Sequence, residues 1–467
     1  MTTHQAIVYN HSQCNPTIHN LGDELPDGLL AGIDAGTTSV KVLLMTPDGR
    51  DVAVGRAPTT WSRTAQGEET TAETLTGAAQ AALADALAQA PGARILGIGV
   101  ASMAESGVLV DSADVPLAPV IAWHDTRDSA ELAGLIATLS GEEFSRRTGL
   151  PLWTQWSATK HRWMRAHLPE TARATRRYNV AEWIIRGLGG DPVTEFSLAS
   201  RTGWLDLHTG RPWAESLAWS GAPDSLLGDL VDAGVPVGHA QGAGPLAAIS
   251  GAVLTIAGHD HQTAAVGLGA HRPGDEFDSA GTAEAILRTS HPNLLDSTVA
   301  DLAAAGITVG RHAAPGRWCL LGATQGGLIL GRVQHALGVD RDGLAALDDA
   351  AAAAADVPTA ITLGPGAGDV QINPAATPGE VWRAATRAVT GQAAALSDRL
   401  TAASGPRADL VVAGGWTNSR AVMAAKTDAF GDFRRATVPE AGCRGAALFA
   451  GVAAGLYTDL DAAPAPA

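Results

Sequence analysis

Hydrophobic and polar positions alternate near the start of the chain in a way that predicts a β-hairpin. Residues 30–45 run from apolar positions through Asp34 and a turn of small and hydroxyl residues back to apolar, partly β-branched positions. This pattern, with glycine in the turn, is typical of two antiparallel strands. A similar stretch recurs at 276–287, where Gly281 and Thr282 occupy the turn. The recurrence indicates two related units that face each other.

The remaining apolar segments alternate between strand and helix patterns. We expect an alanine-rich helix over 71–90, a buried strand over 94–101, a long helix over 378–403 and a strand over 410–413. Because strands and helices alternate along the chain, the predicted fold class is α/β with layered sheets and helices.

The length of 467 residues favours two domains. A loop rich in glycine and proline surrounds position 247, and we place the boundary there, with a second unit opening at the strand 252–257. The predicted domains are 28–247 and 248–457. They are preceded by a flexible extension, 1–27, and followed by a tail, 458–467.

Composition narrows the classes of partner. The chain is 46% apolar and 17% charged and carries a net charge of −16, which argues against nucleic acid or an anionic membrane as its main partner. It has no apolar run of membrane-spanning length. Its three cysteines are scattered without a CxxC motif, so neither a disulfide framework nor a cysteine metal site is expected, and a reducing, cytoplasmic location fits.

The first hairpin carries groups that can hold a phosphate. Gly36 lets the backbone approach an anion, Thr37 and Thr38 supply hydroxyls, and Lys41 follows closely. Asp34 would repel a bare phosphate, so its presence suggests a bridging Mg²⁺. An ordinary hairpin with a polar turn is the alternative that the pattern alone leaves open.

Asp260 is the candidate general base. It follows a buried strand, where a carboxylate can accept the proton of a substrate hydroxyl. An aspartate here can equally cap a helix N-terminus, and the two roles can coexist. A metal site built from His259 and His261 is disfavoured, because the two side chains are expected to diverge and no third cysteine or histidine lies at metal spacing.

Taken together and in order, these motifs resemble the FGGY carbohydrate kinases. No single motif is specific; the ordered set is what carries the resemblance over residues 28–457. The resemblance implies two actin-like, ribonuclease-H-like domains that close over ATP and a sugar. The matching stretches are 32–39, 258–260, 280–282, 413–415 and 442–447.

The resemblance also implies roles for the motif residues, with ATP and Mg²⁺ as cosubstrate and cofactor. It makes Asp260 the base and Asp34 the Mg²⁺ ligand. The family often has an arginine where Lys41 stands. For Gly414 and Gly415, a tight strand-to-helix turn remains the alternative interpretation. The implied phosphate contacts are Thr37, Thr38 and Lys41 with Gly281 and Thr282 opposite; Gly414, Gly415 and Asn418 would contact adenosine.

The acceptor site is where the sequence departs from familiar members. Glu105 aligns with a glutamate that directly follows an arginine in glycerol kinases. Here Ala104 stands before Glu105, so the Arg-Glu pair is absent and glycerol is less favoured as substrate. Trp123 and Asp125 lie in a stretch that resembles the Trp-Asn-Asp-x-Arg of xylulose kinases. A salt-bridged strand end is the alternative for Asp125. His261 stands where a glutamine or asparagine usually contacts substrate.

The resulting hypothesis is an ATP-dependent kinase of a small neutral sugar or sugar alcohol, with a ketopentose or deoxyketose such as xylulose first. A tetritol, a glycerol-like polyol or an aldonate is the alternative substrate. A sugar- and nucleotide-binding regulator would be expected to lose Asp260 or Asp34, and both are present. An actin- or chaperone-like ATPase would not need the polar pocket. The resemblance leaves a homodimer open.

Overall fold

Two β-sheets with helices packed around them organise the part of the chain that the computed structural model describes, residues 28–364 and 369–466. The extension predicted at 1–27 lies outside the described residues. The mixed α/β fold class expected from the sequence is confirmed.

Strands and helices alternate along most of the described chain. None of the described helices is long and apolar enough to span a membrane. The strands are β1 (Leu29–Ala35), β2 (Ser39–Met45), β3 (Asp51–Pro58), β4 (Ser62–Thr64), β5 (Gly67–Thr70), β6 (Ile95–Ser102), β7 (Gly107–Val110), β8 (Val120–Ile121), β9 (Arg176–Asn179), β10 (Val193–Glu195), β11 (Leu205–Asp206), β12 (Arg211–Pro212), β13 (Asp229–Val231), β14 (Val253–His259), β15 (Asp275–Ala280), β16 (Glu284–Ser290), β17 (Thr308–Arg311), β18 (Trp318–Thr324), β19 (Ile361–Leu363), β20 (Val370–Ile372), β21 (Asp409–Ala413) and β22 (Arg434–Arg435). The α-helices are α1 (Ala72–Ala88), α2 (Ser129–Leu139), α3 (Gly141–Thr148), α4 (Ser157–His167), α5 (Val180–Gly187), α6 (Phe196–Ala199), α7 (Ala214–Ser220), α8 (Asp260–Gly267), α9 (Asp296–Ala304), α10 (Gly326–Ala336), α11 (Leu344–Ala353), α12 (Pro378–Ser404), α13 (Arg420–Phe430) and α14 (Ala441–Ala453). Short 3₁₀ helices lie at Pro169–Arg173, Gly244–Ile249, Pro358–Ala360 and Gly415–Asn418.

The first sheet has the strand order β14-β6-β1-β2-β3. Strands β1 and β2 form the predicted antiparallel hairpin, in which Asp34 pairs directly with Lys41. Strands β1, β6 and β14 run parallel to one another. Their carboxyl ends therefore meet at one edge of the sheet.

The second sheet has the order β17-β18-β16-β15-β21-β22. The second predicted hairpin is present as β15 and β16, which are antiparallel. Strand β21 lies parallel to β15. The turn that follows β15 and the glycine pair that follows β21 consequently leave the sheet side by side.

Strand β14 differs from the sequence expectation. The sequence pattern predicts it as the opening strand of the second unit, yet it pairs with β6 in the first sheet. Helix α14 also packs on this sheet: a Cβ added to Gly32 would lie 1.8 Å from the carbonyl oxygen of Cys443. The strand that follows the glycine- and proline-rich segment near 247 therefore lies in the first sheet, while the domain bounds 28–247 and 248–457 stay a prediction.

The predicted tail packs against the body of the protein over its described residues, which end at 466. Asp461 lies 2.9 Å from Arg272 Nε. Arg444 of α14 donates a hydrogen bond to the carbonyl oxygen of Ala465 at 3.0 Å. The C-terminal segment thus belongs to the folded structure.

Candidate active site

Three carboxylates lie at the shared edge of the first sheet. Asp34 is the penultimate residue of β1, Glu105 follows β6, and Asp260 follows β14. In open α/β sheets this carboxyl edge is where ligands bind. Burial raises the pKa of both Asp34 and Glu105, and the charge of the nearby Asp260 carboxylate adds to the rise in each. The edge is therefore a concentrated acidic site.

Asp34 has an unsatisfied carboxylate oxygen. Its Oδ1 atom is fully buried and has no hydrogen-bond partner among the residues that the structure describes. Burial and the nearby Asp260 carboxylate raise the pKa of Asp34 to about 7. On the other side, a Cβ added to Gly442 would lie 2.5 Å from Asp34 Oδ2, so only glycine leaves room there. A buried acceptor without a donor is costly, and a hard cation with oxygen ligands such as Mg²⁺ would satisfy it.

Two tryptophans hold the turn between β1 and β2. The indole N–H of Trp61 donates to the carbonyl oxygen of Thr37 at 2.7 Å, and that of Trp123 donates to Thr37 Oγ1 at 2.9 Å. Gly36 N–H donates to the carbonyl oxygen of Ser39 at 3.1 Å, while Thr38 is exposed. The second contact connects a predicted acceptor-site residue, Trp123, to the predicted phosphate turn.

Lys41 is held by a residue that sequence reasoning missed. Its Nζ lies 2.9 Å from Oε2 of Glu440, which also pairs with Arg56. Burial alone would lower the pKa of Lys41, but the Glu440 carboxylate outweighs it and the pKa is raised. Lys41 therefore stays charged beside Asp34. The available signal was a glutamate just before the small-residue helix α14.

Asp260 occupies the first position of α8, one residue after the N-cap, which is His259. Its Oδ1 accepts a hydrogen bond from the backbone N–H of His261 at 2.6 Å. Asp260 is therefore not the N-cap residue itself, but its carboxylate still accepts a hydrogen bond from a backbone N–H of the first helical turn. A register shift next to Gly258, whose φ is +94°, aims the strand end towards this helix.

Both neighbouring imidazoles converge on Asp260, so the expectation that they diverge is wrong. Oδ1 lies 2.9 Å from His261 Nδ1 and 3.2 Å from His259 Nε2. The reason is that His259 ends a strand in extended conformation, whereas His261 already lies in the helix. Burial opposes ionisation of Asp260, but the imidazoles outweigh it and hold its pKa well below the ordinary value. The carboxylate is therefore in the form that accepts a proton.

Glu105 does have a guanidinium partner, contrary to the inference from Ala104. Arg201 Nε donates to Glu105 Oε1 at 2.6 Å, and Gln155 Nε2 donates to the same oxygen at 3.2 Å. Glu105 has a φ of +64°, a strained backbone that is often found at functional sites. Burial raises the pKa of Glu105, and Arg201 works against that rise. Arg201 also donates to Thr308 Oγ1 in the second sheet at 2.8 Å.

Asp125 is already engaged by its neighbours. Its Oδ1 accepts from Arg127 Nε at 3.0 Å, and its Oδ2 accepts from the backbone N–H of Glu68 at 2.6 Å. Burial opposes ionisation, but the hydrogen bonds from Arg127 and Glu68 lower the pKa of Asp125. This arrangement is the salt-bridged strand end that the sequence left open. Contact with an acceptor stays a prediction.

The glycines of the second sheet lie together at its edge. A Cβ added to Gly414, whose φ is +107°, would lie 2.4 Å from the carbonyl oxygen of Ala280, directly before Gly281. Thr282 is exposed next to them. Across residues 28–364 and 369–466, no hydrogen bond or ion pair joins the turn 36–38 to Gly281 or Thr282. Their action on one ligand stays a prediction.

Gly415 and Asn418 bound the 3₁₀ helix that follows Gly414, and their contact with adenosine stays a prediction. The Asn418 side chain is exposed, and its Oδ1 accepts a hydrogen bond from Arg435 at 3.0 Å. The backbone of the glycine pair is likewise exposed. A flat ligand can reach this surface.

A buried lysine behind the second turn was also missed by the sequence reasoning. Lys426 of α13 bonds Asp278 and lies 2.5 Å from Glu284 Oε1. Burial raises the pKa of Asp278 to about 7, although Lys426 works against that rise. The cluster connects the β15–β16 hairpin to the helix after the glycine pair. Its only sequence signal was the rarity of lysine, since the chain has Lys41, Lys160 and Lys426 alone.

Comparison with known proteins gives a consistent result. Residues 29–267 match the N-terminal domain of the FGGY family of carbohydrate kinases. A xylulose kinase of Streptomyces coelicolor is 30% identical over 67% of this chain and 64% of its own length. Glycerol kinase 2 of Streptomyces avermitilis is 29% identical over 92% of this chain and 90% of its own. A glycerol kinase of Janthinobacterium matches over only 50% of its length, at 30% identity.

Solved structures share the whole fold. The xylulose kinase of Rhodospirillum rubrum has a TM-score of 0.82 at 24% identity, covering 93% of this chain and 92% of that one. The glycerol kinase of Plasmodium falciparum, solved with ADP, has a TM-score of 0.81 at 19% identity, covering 93% and 91%. These likenesses establish the two-domain, actin-like fold. With more than half of its length matched by the family model, the chain belongs to the FGGY family of carbohydrate kinases.

Proposed function

We propose that this protein transfers the γ-phosphoryl group of ATP to a hydroxyl of a small neutral sugar or sugar alcohol. The observation that carries the proposal is the group of three carboxylates, Asp34, Glu105 and Asp260, at the carboxyl ends of adjacent parallel strands in an FGGY chain. Phosphoryl transfer depends mainly on positioning and on charge stabilisation, which such an edge can supply.

Asp260 would act as general base. As the acceptor oxygen attacks the γ-phosphorus, its proton passes to the Asp260 carboxylate and ADP leaves. The lowered pKa of Asp260 keeps it ionised for this step. His261, whose side chain is 41% exposed, would contact the acceptor beside it.

Asp34 would hold Mg²⁺, because its buried Oδ1 lacks a donor in the described part of the chain. When bound, Mg²⁺ neutralises the charge of the phosphate groups. Lys41 would remain charged next to it through the ion pair with Glu440. The remaining ATP contacts that we propose are Gly36, Thr37, Thr38, Gly281 and Thr282 for the phosphates, and Gly414, Gly415 and Asn418 for adenosine.

For the acceptor we propose a ketopentose or deoxyketose such as xylulose, bound by Glu105, Trp123, Asp125 and His261. A relative named xylulose kinase supports this choice. A small polyol such as glycerol or a tetritol is the second candidate substrate. The Glu105–Arg201 pair offers a hydrogen-bond acceptor and a hydrogen-bond donor side by side for neighbouring hydroxyls. The reaction would take place in the cytoplasm on small-molecule substrates, with neither nucleic acid nor membrane as a partner, and in a monomer or a homodimer.

The test is an ADP-release assay with Mg-ATP and a panel of pentuloses, hexuloses, tetritols, glycerol and aldonates. We expect release only with a subset of acceptors, and a loss of about 10²-fold or more in Asp260→Asn. Asp224→Asn, at an exposed carboxylate, is the matched control and should keep wild-type turnover. Release that does not depend on any acceptor, or full turnover in Asp260→Asn, would contradict the proposal.

A further inference from the structure

Two imidazoles and a carboxylate meet at the start of α8. The His259 Nε2, Asp260 Oδ1 and His261 Nδ1 atoms all lie within 4.8 Å of one another. The separations to the central oxygen are 3.2 Å and 2.9 Å. Three potential ligand atoms from successive residues thus lie close together.

This donor set differs in kind from the oxygen site at Asp34. Imidazole nitrogen with carboxylate oxygen suits Zn²⁺, Co²⁺, Ni²⁺ or Cu²⁺, whereas Mg²⁺ prefers oxygen alone. Ligand atoms about 2.0–2.2 Å from a tetrahedral ion lie about 3.3 Å apart. The two separations to Asp260 need to change by only a few tenths of an ångström to reach that spacing. The two imidazole nitrogens lie within 4.8 Å of each other, and the exposed His261 ring would turn towards His259 when an ion binds.

Solvent can reach the site, although one of its three residues is buried. The His259 side chain is 6% exposed, whereas those of Asp260 and His261 are 23% and 41% exposed. The His259 side chain is buried, and the exposed His261 leaves room for water as a fourth ligand. Three protein ligands with one open position is the usual form of an accessible zinc site.

We propose that His259, Asp260 and His261 form a binding site for a divalent transition metal ion that inhibits the enzyme. An ion here would bind the Asp260 carboxylate that, under the proposed function, takes the proton from the substrate hydroxyl, so catalysis and metal binding would exclude each other. The inhibitory part rests on the proposed function of Asp260, whereas the binding part does not. Inhibition would be competitive with the acceptor and would persist at saturating Mg²⁺.

The binding test titrates the full-length, nucleotide-free protein with Co²⁺ and follows its visible absorption. We expect one equivalent to bind with the intense bands of low-coordinate Co²⁺, and Zn²⁺ to displace it. Separate substitutions His259→Asn, Asp260→Asn and His261→Asn should each weaken Co²⁺ binding about 100-fold or more, beyond the 10–100-fold typical of outer-shell partners. His291→Asn, at an exposed histidine elsewhere, should bind like wild type.

Two results would overturn the site. One is the absence of a stoichiometric Co²⁺ spectrum; the other is equal affinity in all three variants and wild type, which would leave the three residues as a hydrogen-bonded group only. Thermal unfolding of each variant checks that it is folded. Because the readout is a spectrum, failure of the acceptor panel leaves this test intact. Zn²⁺ that binds without slowing ADP release would instead refute the inhibitory role.

Discussion

Arg201 and Glu105 form a buried ion pair in which Arg201 Nε lies 2.6 Å from Glu105 Oε1. The same guanidinium reaches Thr308 in the second sheet. The pair therefore connects the carboxyl edge of the first sheet to the edge strand of the second. Removing one partner of a buried pair leaves an uncompensated charge, which typically costs about 3–5 kcal/mol.

We predict that Arg201→Ala raises the KM for the acceptor at least about tenfold and leaves the KM for ATP within about twofold. Glu105 would lose the donor that fixes its carboxylate, and a misplaced contact is costly in a positioned site. Steady-state kinetics with each substrate varied in turn measures the split. Arg211→Ala, at an exposed arginine, is the control. Equal changes in both KM values would argue for a general loss of structure instead.

This pair also marks what the sequence could and could not predict. The hairpins were predictable because apolar periodicity and glycine turns are local, and Asp34 and Asp260 stood out because each ends an apolar strand. Arg201 comes from a polar loop almost one hundred positions after Glu105, so only the folded chain brings them together. Glu440 reaches Lys41 over an even longer separation. The pairing of β14 was missed for the same reason, since composition marks loops but not the sheet that a strand joins.

The raised pKa of Asp34 makes the stability of the protein depend on pH. An aspartate has a pKa of about 3.9 in an unfolded chain and Asp34 about 7 when folded, so the folded state binds the proton more tightly. Its contribution to the free energy of unfolding therefore falls as pH rises from about 4 to 7 and stays low above 7. We predict that Asp34→Asn, without Mg²⁺, raises Tm by a few degrees at pH 8 while abolishing kinase activity.

The measurement is thermal unfolding in the presence of a chelator at pH 5 and pH 8. The gain in Asp34→Asn should shrink at pH 5, where wild-type Asp34 is already protonated. Asp224→Asn should show no pH-dependent gain, because its carboxylate is exposed. An Asp34→Asn protein less stable than wild type at pH 8 would contradict the raised pKa.

Gly442 leaves the space that the Asp34 carboxylate occupies. A Cβ at this position would lie 2.5 Å from Asp34 Oδ2, too close for a normal contact. We predict that Gly442→Ala displaces the carboxylate and lowers kcat at least about tenfold, even though alanine is the better helix former by about 1 kcal/mol. Gly77→Ala in α1 is the matched control, since nothing lies within 4 Å of its added Cβ. Unchanged kcat in Gly442→Ala would show that Asp34 can move without loss.

Lys426 forms buried ion pairs with Asp278 and Glu284, which lie on the two strands that flank the turn at Gly281 and Thr282. Lys426 is 1% exposed and both carboxylates are buried, so its removal leaves two like charges without a counter-ion. We predict that Lys426→Met lowers Tm by several degrees and raises the KM for ATP several-fold, with little change in the KM for the acceptor. The reason is that Glu284 begins β16 directly after the turn at Gly281 and Thr282.

A double variant separates charge from packing in this cluster. Adding Asp278→Asn to Lys426→Met removes one of the stranded charges and should restore part of the lost Tm, as expected for residues in direct contact. Lys160→Met is the matched control: Lys160 is also buried and pairs with Asp128 at 3.4 Å, but it lies beside Asp125 of the proposed substrate site. It should lower Tm without raising the KM for ATP. A rise in that KM in both lysine variants would mean that any loss of a buried lysine impairs nucleotide binding, and the specific support of the turn by Lys426 would be refuted.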